Sequence, residues 1–209
     1  LKGIYATQPS DPFRSEMRQW EGDARIEVLR GGKKGTEAHD AGELLAFLDD
    51  QKKVRGMKYE DVHRRGLLHM TAHVYFVDPQ GRFVFQKRTL EKKESPGKLQ
   101  VSASGHVNYK ENPEGAAIRE TAEEAGFIPE RARLFQISKT NEIERSYKTE
   151  DGKNHELTTV FLYFLTEDEI RLMQGNYNLN EIEEFYFYPA NVFEERIRDY
   201  PDEFSRSLH

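Results

Sequence analysis

The sequence predicts an α/β fold in which helices cover a mixed β-sheet. Strand-like and helix-like patterns alternate along the 209 residues without a regular repeat, which favours such a sheet over a barrel or a helical bundle. Hydrophobic residues make up 36% of the chain and aromatic residues 11%, so the chain can bury a sizeable core. At this length we expect one main domain.

Charge and cysteine content exclude several functions. The formal net charge is −6, so no overall positive field attracts nucleic acid or an anionic membrane. The absence of cysteine rules out disulfides, zinc–thiolate sites and thiol nucleophiles. The longest apolar run, residues 160–165, is about a third of a membrane span. We therefore expect a cytoplasmic protein whose partner is a small molecule, with neither nucleic acid nor a membrane involved.

Residues 1–43 are predicted as an N-terminal extension, and residues 44–209 as the main domain. The extension contains a predicted helix over 11–20 and a strand over 24–29, and it is expected to cover a sheet edge or to mediate homodimerisation. Period-two alternation and turn residues place the strands of the main domain at 44–48, 54–59, 69–77, 82–87, 99–104, 133–138, 157–166 and 183–188. Two of its helices are predicted at 167–174 and 190–200.

The best-defined helix lies between these strands. Asn112 can cap it, Pro113 fits its first turn and Gly126 fits just past its end. Helical periodicity predicts that one face is a buried stripe, formed by Ile118, Thr121, Ala122 and Ala125. Glu120, Glu123 and Glu124 are predicted on the opposite face, where like charges repel one another. Either this face is simply solvated, or a hard divalent cation such as Mg²⁺ offsets the repulsion.

The spacing around this helix resembles the signature of the Nudix hydrolase superfamily. Gly105 is followed after five residues by Glu111, after seven more by Arg119 and Glu120, and then by Glu123, Glu124 and Gly126, so all seven fixed residues match. Thr121 and Phe127 depart from the pattern at packing positions. The resemblance implies a Nudix fold, an α/β/α sandwich around a mixed sheet.

The resemblance also implies roles for these residues. The three glutamates would be metal ligands, Gly105 would offer its carbonyl oxygen, and Glu120, Glu123 and Arg119 would be catalytic. Arg119 and Glu111 would hold the carboxylates in place, which agrees with the forked hydrogen bonds that a guanidinium donates. Gly126 would be structural.

Residues 47–207 are similar to the branch that includes isopentenyl-diphosphate isomerase. In that isomerase, histidines at the positions of His63, His69 and His106 bind a metal, so these three are possible ligands here, with a purely structural role as the alternative. Two departures count against isomerase activity: Ser104 stands where the isomerase has its cysteine, and Asn154 replaces one of two downstream glutamates.

The predicted function is hydrolysis of phosphorus-containing acid anhydrides. With Mg²⁺ or Mn²⁺ as cofactor, water would attack a pyrophosphate bond in a nucleoside diphosphate linked to another group, for example ADP-ribose or a nucleotide sugar. Arg88 is predicted to bind phosphate, and Glu156 to act as general base, with Glu142 and Glu144 as alternatives. The competing hypotheses are an isomerase-like enzyme and a non-catalytic nucleotide-binding module.

Overall fold

A computed structural model describes residues 25–35, 44–138, 143–149 and 152–208. Within these ranges the chain forms one eleven-stranded sheet and four α-helices. The strands are β1 (Glu27–Leu29), β2 (Leu44–Leu48), β3 (Val54–Lys58), β4 (His69–Val77), β5 (Phe83–Arg88), β6 (Leu99–Gln100), β7 (Ala103–His106), β8 (Leu134–Gln136), β9 (Ile143–Thr149), β10 (Gly152–Phe164) and β11 (Ile182–Tyr188). The helices are α1 (Tyr59–Arg65), α2 (Pro113–Glu120), α3 (Glu167–Asn176) and α4 (Ala190–Asp199).

The sheet is mixed, as the sequence predicts. Its main path runs β1-β11-β5-β4-β10-β8, and β4 and β10 pair in parallel at its centre. The parallel register aligns Glu156 with His69 at one end and Phe164 with Val77 at the other. The other pairings are antiparallel, including β7 on β4 and β9 on β10. Strands β7, β4, β10 and β9 therefore bring together residues from distant parts of the chain.

Two hydrophobic cores lie on opposite faces of the sheet. Strand β11 shows the alternation directly, because Phe185 and Phe187 belong to one core whereas Tyr186 and Tyr188 belong to the other. The first core packs against α2 and α3, and the second packs against α4. The predicted α/β/α sandwich is thus confirmed. None of the helices in the described ranges is long and apolar enough to cross a membrane.

The predicted helix has the limits that its sequence indicates. The Asn112 side chain accepts a hydrogen bond from the Gly115 backbone N–H at 2.7 Å, and Pro113 is the first helical residue. Helix α2 continues without a break into a π-helical turn, Thr121–Ala125, and ends at Gly126 with φ +80°. π-Helical turns of this kind are frequent at functional sites, because they change the directions in which side chains leave the helix.

The structure differs from the predictions in four elements. Residues 59–65 form α1, which was predicted only as a strand end at residue 59. The predicted strand over 99–104 is two strands, because the chain crosses from β5 to β4 at Ser102, whose hydroxyl oxygen accepts a hydrogen bond from the Phe76 N–H at 2.7 Å. Strand β9 was not predicted, and β10 begins five residues earlier than expected. The helix predicted over 11–20 lies outside the described residues.

Candidate functional site

A cavity of about 310 Å³ lies where α1, β4, β7, β9, β10 and the π-helical turn meet. Its walls include six of the residues singled out in the sequence: Arg88, Gly105, His106, Glu120, Glu124 and Glu156. The cavity therefore joins the acidic helix, the strand end at Arg88 and the downstream glutamate, although up to 68 residues separate them along the chain.

Strand β7 passes directly against the Glu120 side chain at Gly105. A Cβ atom at position 105 would lie 2.0 Å from the Glu120 carboxyl carbon, closer than atoms can approach. Only glycine therefore allows the carboxylate to reach the strand backbone. This contact places the Glu120 carboxylate and the backbone of residue 105 on the same wall of the cavity.

Arg119 ties the acidic residues together. Its guanidinium donates two hydrogen bonds to Glu111, at 3.1 and 3.0 Å, one to Glu120 at 2.7 Å and one to Glu123 at 3.3 Å. It also donates to the His106 carbonyl oxygen at 2.8 Å, which links α2 to β7. Glu111 in turn accepts from the Asn108 N–H at 3.0 Å. The fork of donors thus fixes three carboxylates and one strand end relative to each other.

The three glutamates, predicted together on the helix face opposite the buried stripe, differ in burial. Glu120 and Glu124 are buried and face the cavity, whereas Glu123 is exposed. Glu120 and Glu124 are four residues apart and both line the cavity, whereas Glu123 stays near Glu120 through Arg119, which donates to both carboxylates. The carboxylates of the three residues are not drawn into a single cluster within the described part of the chain.

Burial makes both inward-facing carboxyl groups weaker acids than usual, because it raises their pKa values. It raises the pKa of Glu120 to about 8, with a further contribution from the negative charge of Glu124. It raises the pKa of Glu124 to about 7, although this carboxylate accepts hydrogen bonds from the Ser104 N–H and the Gln86 amide, both at 2.9 Å. Two buried carboxyl groups facing one cavity are oxygen donors of the kind that a hard divalent cation binds.

Three histidines form a second candidate metal site beside the cavity. Ring nitrogens of His63, His69 and His106 all lie within 4.8 Å of one another. The Nδ1 atoms of His63 and His69 are 3.0 and 2.9 Å from the carbonyl oxygens of Tyr59 and Leu67, an arrangement that leaves Nε2 as the ligand atom.

The acidity and environment of His69 fit such a site. Burial lowers the pKa of His69 to about 4, so its ring is neutral at pH 7. Among the described residues, its buried Nε2 has no hydrogen-bond partner. A neutral imidazole with an unpaired nitrogen suits a transition-metal ion better than Mg²⁺.

Glu156 is held in the cavity wall by Asn154. The Asn154 amide donates to Glu156 Oε1 at 2.7 Å and to the Tyr147 hydroxyl at 2.6 Å. Glu156 Oε2 is buried and has no hydrogen-bond partner among the described residues. Burial raises the pKa of Glu156, while the hydrogen bond from Asn154 and the charge of Arg145 lower it. One carboxylate oxygen is thus fixed while the other remains available for a proton.

The other two glutamates considered from the sequence do not share this environment. Glu144 lies on the exposed side of β9 and its carboxylate contacts His155, so it points away from the cavity wall that Tyr147 forms. Glu142 lies outside the described residues.

Arg88 begins a polar chain along the cavity wall. It donates to the Glu94 carbonyl oxygen at 2.9 Å and to the Gln100 side chain, and the Gln100 amide donates to the Ser104 hydroxyl at 2.6 Å. Its neighbour Lys87 is buried and forms an ion pair with Glu183 at 3.3 Å. Alternation along β5 directs the Lys87 side chain to the face of the strand opposite Arg88.

Sequence reasoning missed Tyr147 as a site residue. It lines the cavity from β9, a strand whose exposed and half-buried residues alternate strictly. The signal was present as alternation ending near an Asp-Gly pair, which is typical of a hairpin. The charged residues on the exposed side of this strand made the segment resemble a loop, so the strand was not predicted.

Comparisons with known proteins give similarities of sequence and of fold. The model of the NUDIX domain family matches residues 67–208. An isopentenyl-diphosphate Delta-isomerase of Serratia proteamaculans is 35% identical over 97 residues, which cover 46% of this chain and 52% of the relative. An uncharacterized Nudix hydrolase of Clostridium acetobutylicum is 32% identical over 99 residues, covering 46% and 48%. The matched part thus spans about half the length of these curated relatives.

Among solved structures, a protein from Deinococcus radiodurans superposes with a TM-score of 0.58 at 18% sequence identity. The match covers 79% of this chain and 94% of that one. At this identity the similarity shows the fold alone.

Glu124→Gln tests the burial of charge in the metal-free protein. Burial raises the folded-state pKa of Glu124 to about 7, above the ordinary value of 4.5, so the protein loses stability as pH rises from about 4.5 to 7, where the unfolded chain ionises this residue and the folded protein does not. We expect the wild-type free energy of unfolding in EDTA to fall between pH 5 and pH 7, with about 2 kcal/mol of the fall due to this residue. Urea unfolding should show a smaller fall for Glu124→Gln. Glu114→Gln, on the same helix, is the control, and an equal fall in all three proteins would contradict the assignment.

Proposed function

The chain belongs to the NUDIX domain family, and from this premise we propose that it is a divalent-metal-dependent hydrolase of a pyrophosphate bond. The substrate class that we propose is a nucleoside diphosphate linked to another group, such as ADP-ribose or a nucleotide sugar. One observation carries the proposal: Glu120 and Glu124 are buried in a cavity that Arg88 also lines. Carboxylates there would hold a cation, and the guanidinium would bind phosphate.

The residues present fit a divalent cation. The oxygens of Glu120, Glu124 and the Gly105 carbonyl are hard donors, and Glu123 would complete the set by rotating inward from its exposed position. Mg²⁺ or Mn²⁺ would supply neutralisation of phosphate charge and a lowered pKa of water. The histidine cluster is proposed as a second cation site, which its nitrogen donors and the unpaired Nε2 of His69 support.

The protein's own groups would orient the substrate and move a proton. Arg88 would bind a phosphate oxygen, since its side chain is anchored at Glu94 and Gln100 while it lines the cavity. Glu156 would accept the proton of the attacking water at Oε2, the oxygen that Asn154 leaves unengaged. Arg119 would keep the acidic helix in position against β7.

An isomerase-like activity is the second candidate, because the three histidines cluster as a metal site would require and several matching relatives are named isopentenyl-diphosphate isomerases. Proton transfer on carbon needs an acid and a base on opposite sides of the substrate. Ser104 accepts a hydrogen bond from Gln100 and has a hydroxyl far less acidic than a thiol. The geometry therefore favours hydrolysis.

The division of the chain at residue 43 remains a proposal. The family match covers residues 67–208, and the pairing of β2 with β4 at Phe47 and His69 supports including residues 44–66 in the same unit. Strand β1 pairs with β11 at an end of the main strand path, which supports an edge-covering role for this part of the extension.

Metal removal should abolish hydrolysis. We expect EDTA-treated protein to release no products from a panel of nucleoside diphosphate derivatives, with activity returning on addition of Mg²⁺ or Mn²⁺, because the glutamates supply charge but no nucleophile. Mass spectrometry should identify both phosphorylated products. Glu123→Gln should lower kcat by about a hundredfold or more without lowering the melting temperature, whereas Glu114→Gln should change neither. Undiminished activity in chelated protein would contradict the proposed metal-dependent mechanism.

Glu156→Gln should lower kcat by about 10²- to 10⁴-fold, the usual contribution of a general base. Asn154→Leu should reduce kcat less, and it should move the acidic limb of the pH–rate profile to higher pH. The reason is that the Asn154 hydrogen bond lowers the pKa of Glu156, and the base acts only when ionised. Glu144→Gln is the matched control on the exposed side of β9. A large loss of activity in the control, with none in Glu156→Gln, would reassign the base.

Isotope labelling separates the two candidate activities. Hydrolysis in ¹⁸O water should place label in one phosphate product, since water supplies the new oxygen. Isopentenyl diphosphate incubated in D₂O should gain no deuterium on carbon, because Ser104 lacks the acidity of the thiol. Deuterium uptake at a useful catalytic rate would overturn the hydrolase proposal. The absence of both labels across a broad panel of substrates would favour a non-catalytic binding module.

A further inference from the structure

A second cavity of about 430 Å³ adjoins the candidate active site. The two cavities share four lining residues: Lys93, Glu94, Ser95 and Tyr147. Tyr147 therefore lies between the two cavities, with the glutamates of the candidate active site on one side and the second cavity on the other. A molecule bound at Arg88 and the acidic helix could extend past this partition without leaving the protein surface.

The second cavity is strongly cationic. Four basic side chains line it, Lys93, Lys98, Lys148 and Arg206, against a single carboxylate, Glu94. In the described part of the chain, Lys98, Lys148 and Arg206 form no salt bridge. This is unusual in a protein of net charge −6, where acidic partners are abundant. Four like charges gathered around a single carboxylate repel one another, and a bound anion would offset that repulsion.

The fold builds this arrangement from three separate segments. Phe204 forms a bridge with Leu99, and the Ser205 N–H donates to the Leu99 carbonyl oxygen at 2.8 Å, which fastens the C-terminal segment to β6. Arg206 then donates to the Lys148 carbonyl oxygen at 3.1 Å, so that its guanidinium is anchored against β9. These contacts bring cations of the C-terminal segment and of β9 to one cavity.

The third segment is the loop before β6. Ser95 and Gly97 adopt positive φ angles of 47° and 70°, and the Lys98 N–H bonds to the Ser95 carbonyl oxygen at 3.3 Å. The tight turn holds Lys98 half-buried beside the cavity. A positive φ at a non-glycine residue such as Ser95 costs conformational energy, which the surrounding contacts of the turn must offset.

We propose that the second cavity binds a phosphate monoester on the part of the substrate that lies away from the cleaved bond. The inference rests on the proposed hydrolase function and narrows its substrate class to pyrophosphate compounds with an additional phosphate. NADPH and coenzyme A have this chemistry, whereas NADH and dephospho-coenzyme A are identical to them except that they lack the extra phosphate.

A phosphate fits the cavity better than other anions do. A phosphate monoester carries close to two negative charges at pH 7 and three acceptor oxygens, which match an arginine fork and several lysines. A carboxylate carries one charge and would leave most of these cations unneutralised. A nucleic acid would need a basic surface that continues beyond the cavity, and the overall charge of −6 opposes its approach.

The test compares kcat/KM within each matched pair, NADPH against NADH and coenzyme A against dephospho-coenzyme A, in the presence of Mg²⁺. Wild-type protein should prefer the phosphorylated member of at least one pair by about tenfold to a hundredfold, the effect of charge-assisted hydrogen bonds to one phosphate. The ratio of the two kcat/KM values within a pair is unaffected by any change that alters both members equally.

A double variant, Lys98→Ala with Arg206→Ala, should bring this ratio close to one. Lys53→Ala with Arg131→Ala removes the same two charges outside both cavities, so it controls for the overall electrostatic field and should keep the wild-type ratio. Circular dichroism and melting temperature verify that both variants are folded. If Lys98→Ala with Arg206→Ala does not fold, charge reversal at the exposed Lys148 alone, Lys148→Glu, should lower the ratio by itself.

The outcomes separate this inference from the proposed function. Hydrolysis of both members at equal kcat/KM would overturn the phosphate subsite and leave the hydrolase intact. If neither member is hydrolysed, the hydrolase proposal fails for these substrates, and calorimetric titration of the same pairs with Mg²⁺ then tests the subsite directly. Tighter binding of the phosphorylated members, lost in the double variant, would support it, and equal or undetectable binding of both would overturn it.

Discussion

The clamp that Arg119 forms on the acidic helix is the interaction on which the candidate site depends. Burying ionised carboxylates is costly unless a cation and hydrogen bonds accompany them, and losing one partner of a buried pair typically costs about 3–5 kcal/mol. Arg119 bonds to Glu111, Glu120 and Glu123 and, through the His106 carbonyl oxygen, to β7. The same side chain therefore stabilises the burial and sets the distance between helix and sheet.

The parallel pairing of β4 with β10 positions the part of the site that contains Glu156 and His69. Its register places Glu156 beside His69, and β9 adds Arg145 opposite Glu156 from the other side. A shift of one residue would turn Glu156 away from the cavity, because side chains alternate along a strand. The hydrogen bond between the hydroxyls of Thr158 and Thr71, at 2.9 Å, joins the two strands within this face and opposes such a shift.

Much of the fold and the site could be predicted from the sequence, for identifiable reasons. The limits of α2 follow from local groups, the Asn112 cap and the left-handed Gly126, which act within one turn of chain. The inward direction of Glu120 and Glu124 could not be predicted, since it depends on the π-helical turn and on the space that Gly105 leaves in another strand. Strand β9 was not predicted for a similar reason. A segment so rich in exposed charges forms a strand only because it pairs with β10, and this pairing is not visible in the local sequence.

The two departures from the isomerase-like pattern act together in the structure. Asn154 has an amide where a second carboxylate would stand, and it donates to Glu156 instead of repelling it. The substitution removes one negative charge from the neighbourhood of the histidine cluster and lowers the pKa of the remaining glutamate. Ser104, across the cavity, is a hydrogen-bond acceptor for Gln100 and, through it, a link to Arg88. At these two positions the structure therefore has a hydrogen-bonded glutamate and a hydroxyl linked to Arg88, an arrangement that supports the proposed hydrolysis over proton transfer on carbon.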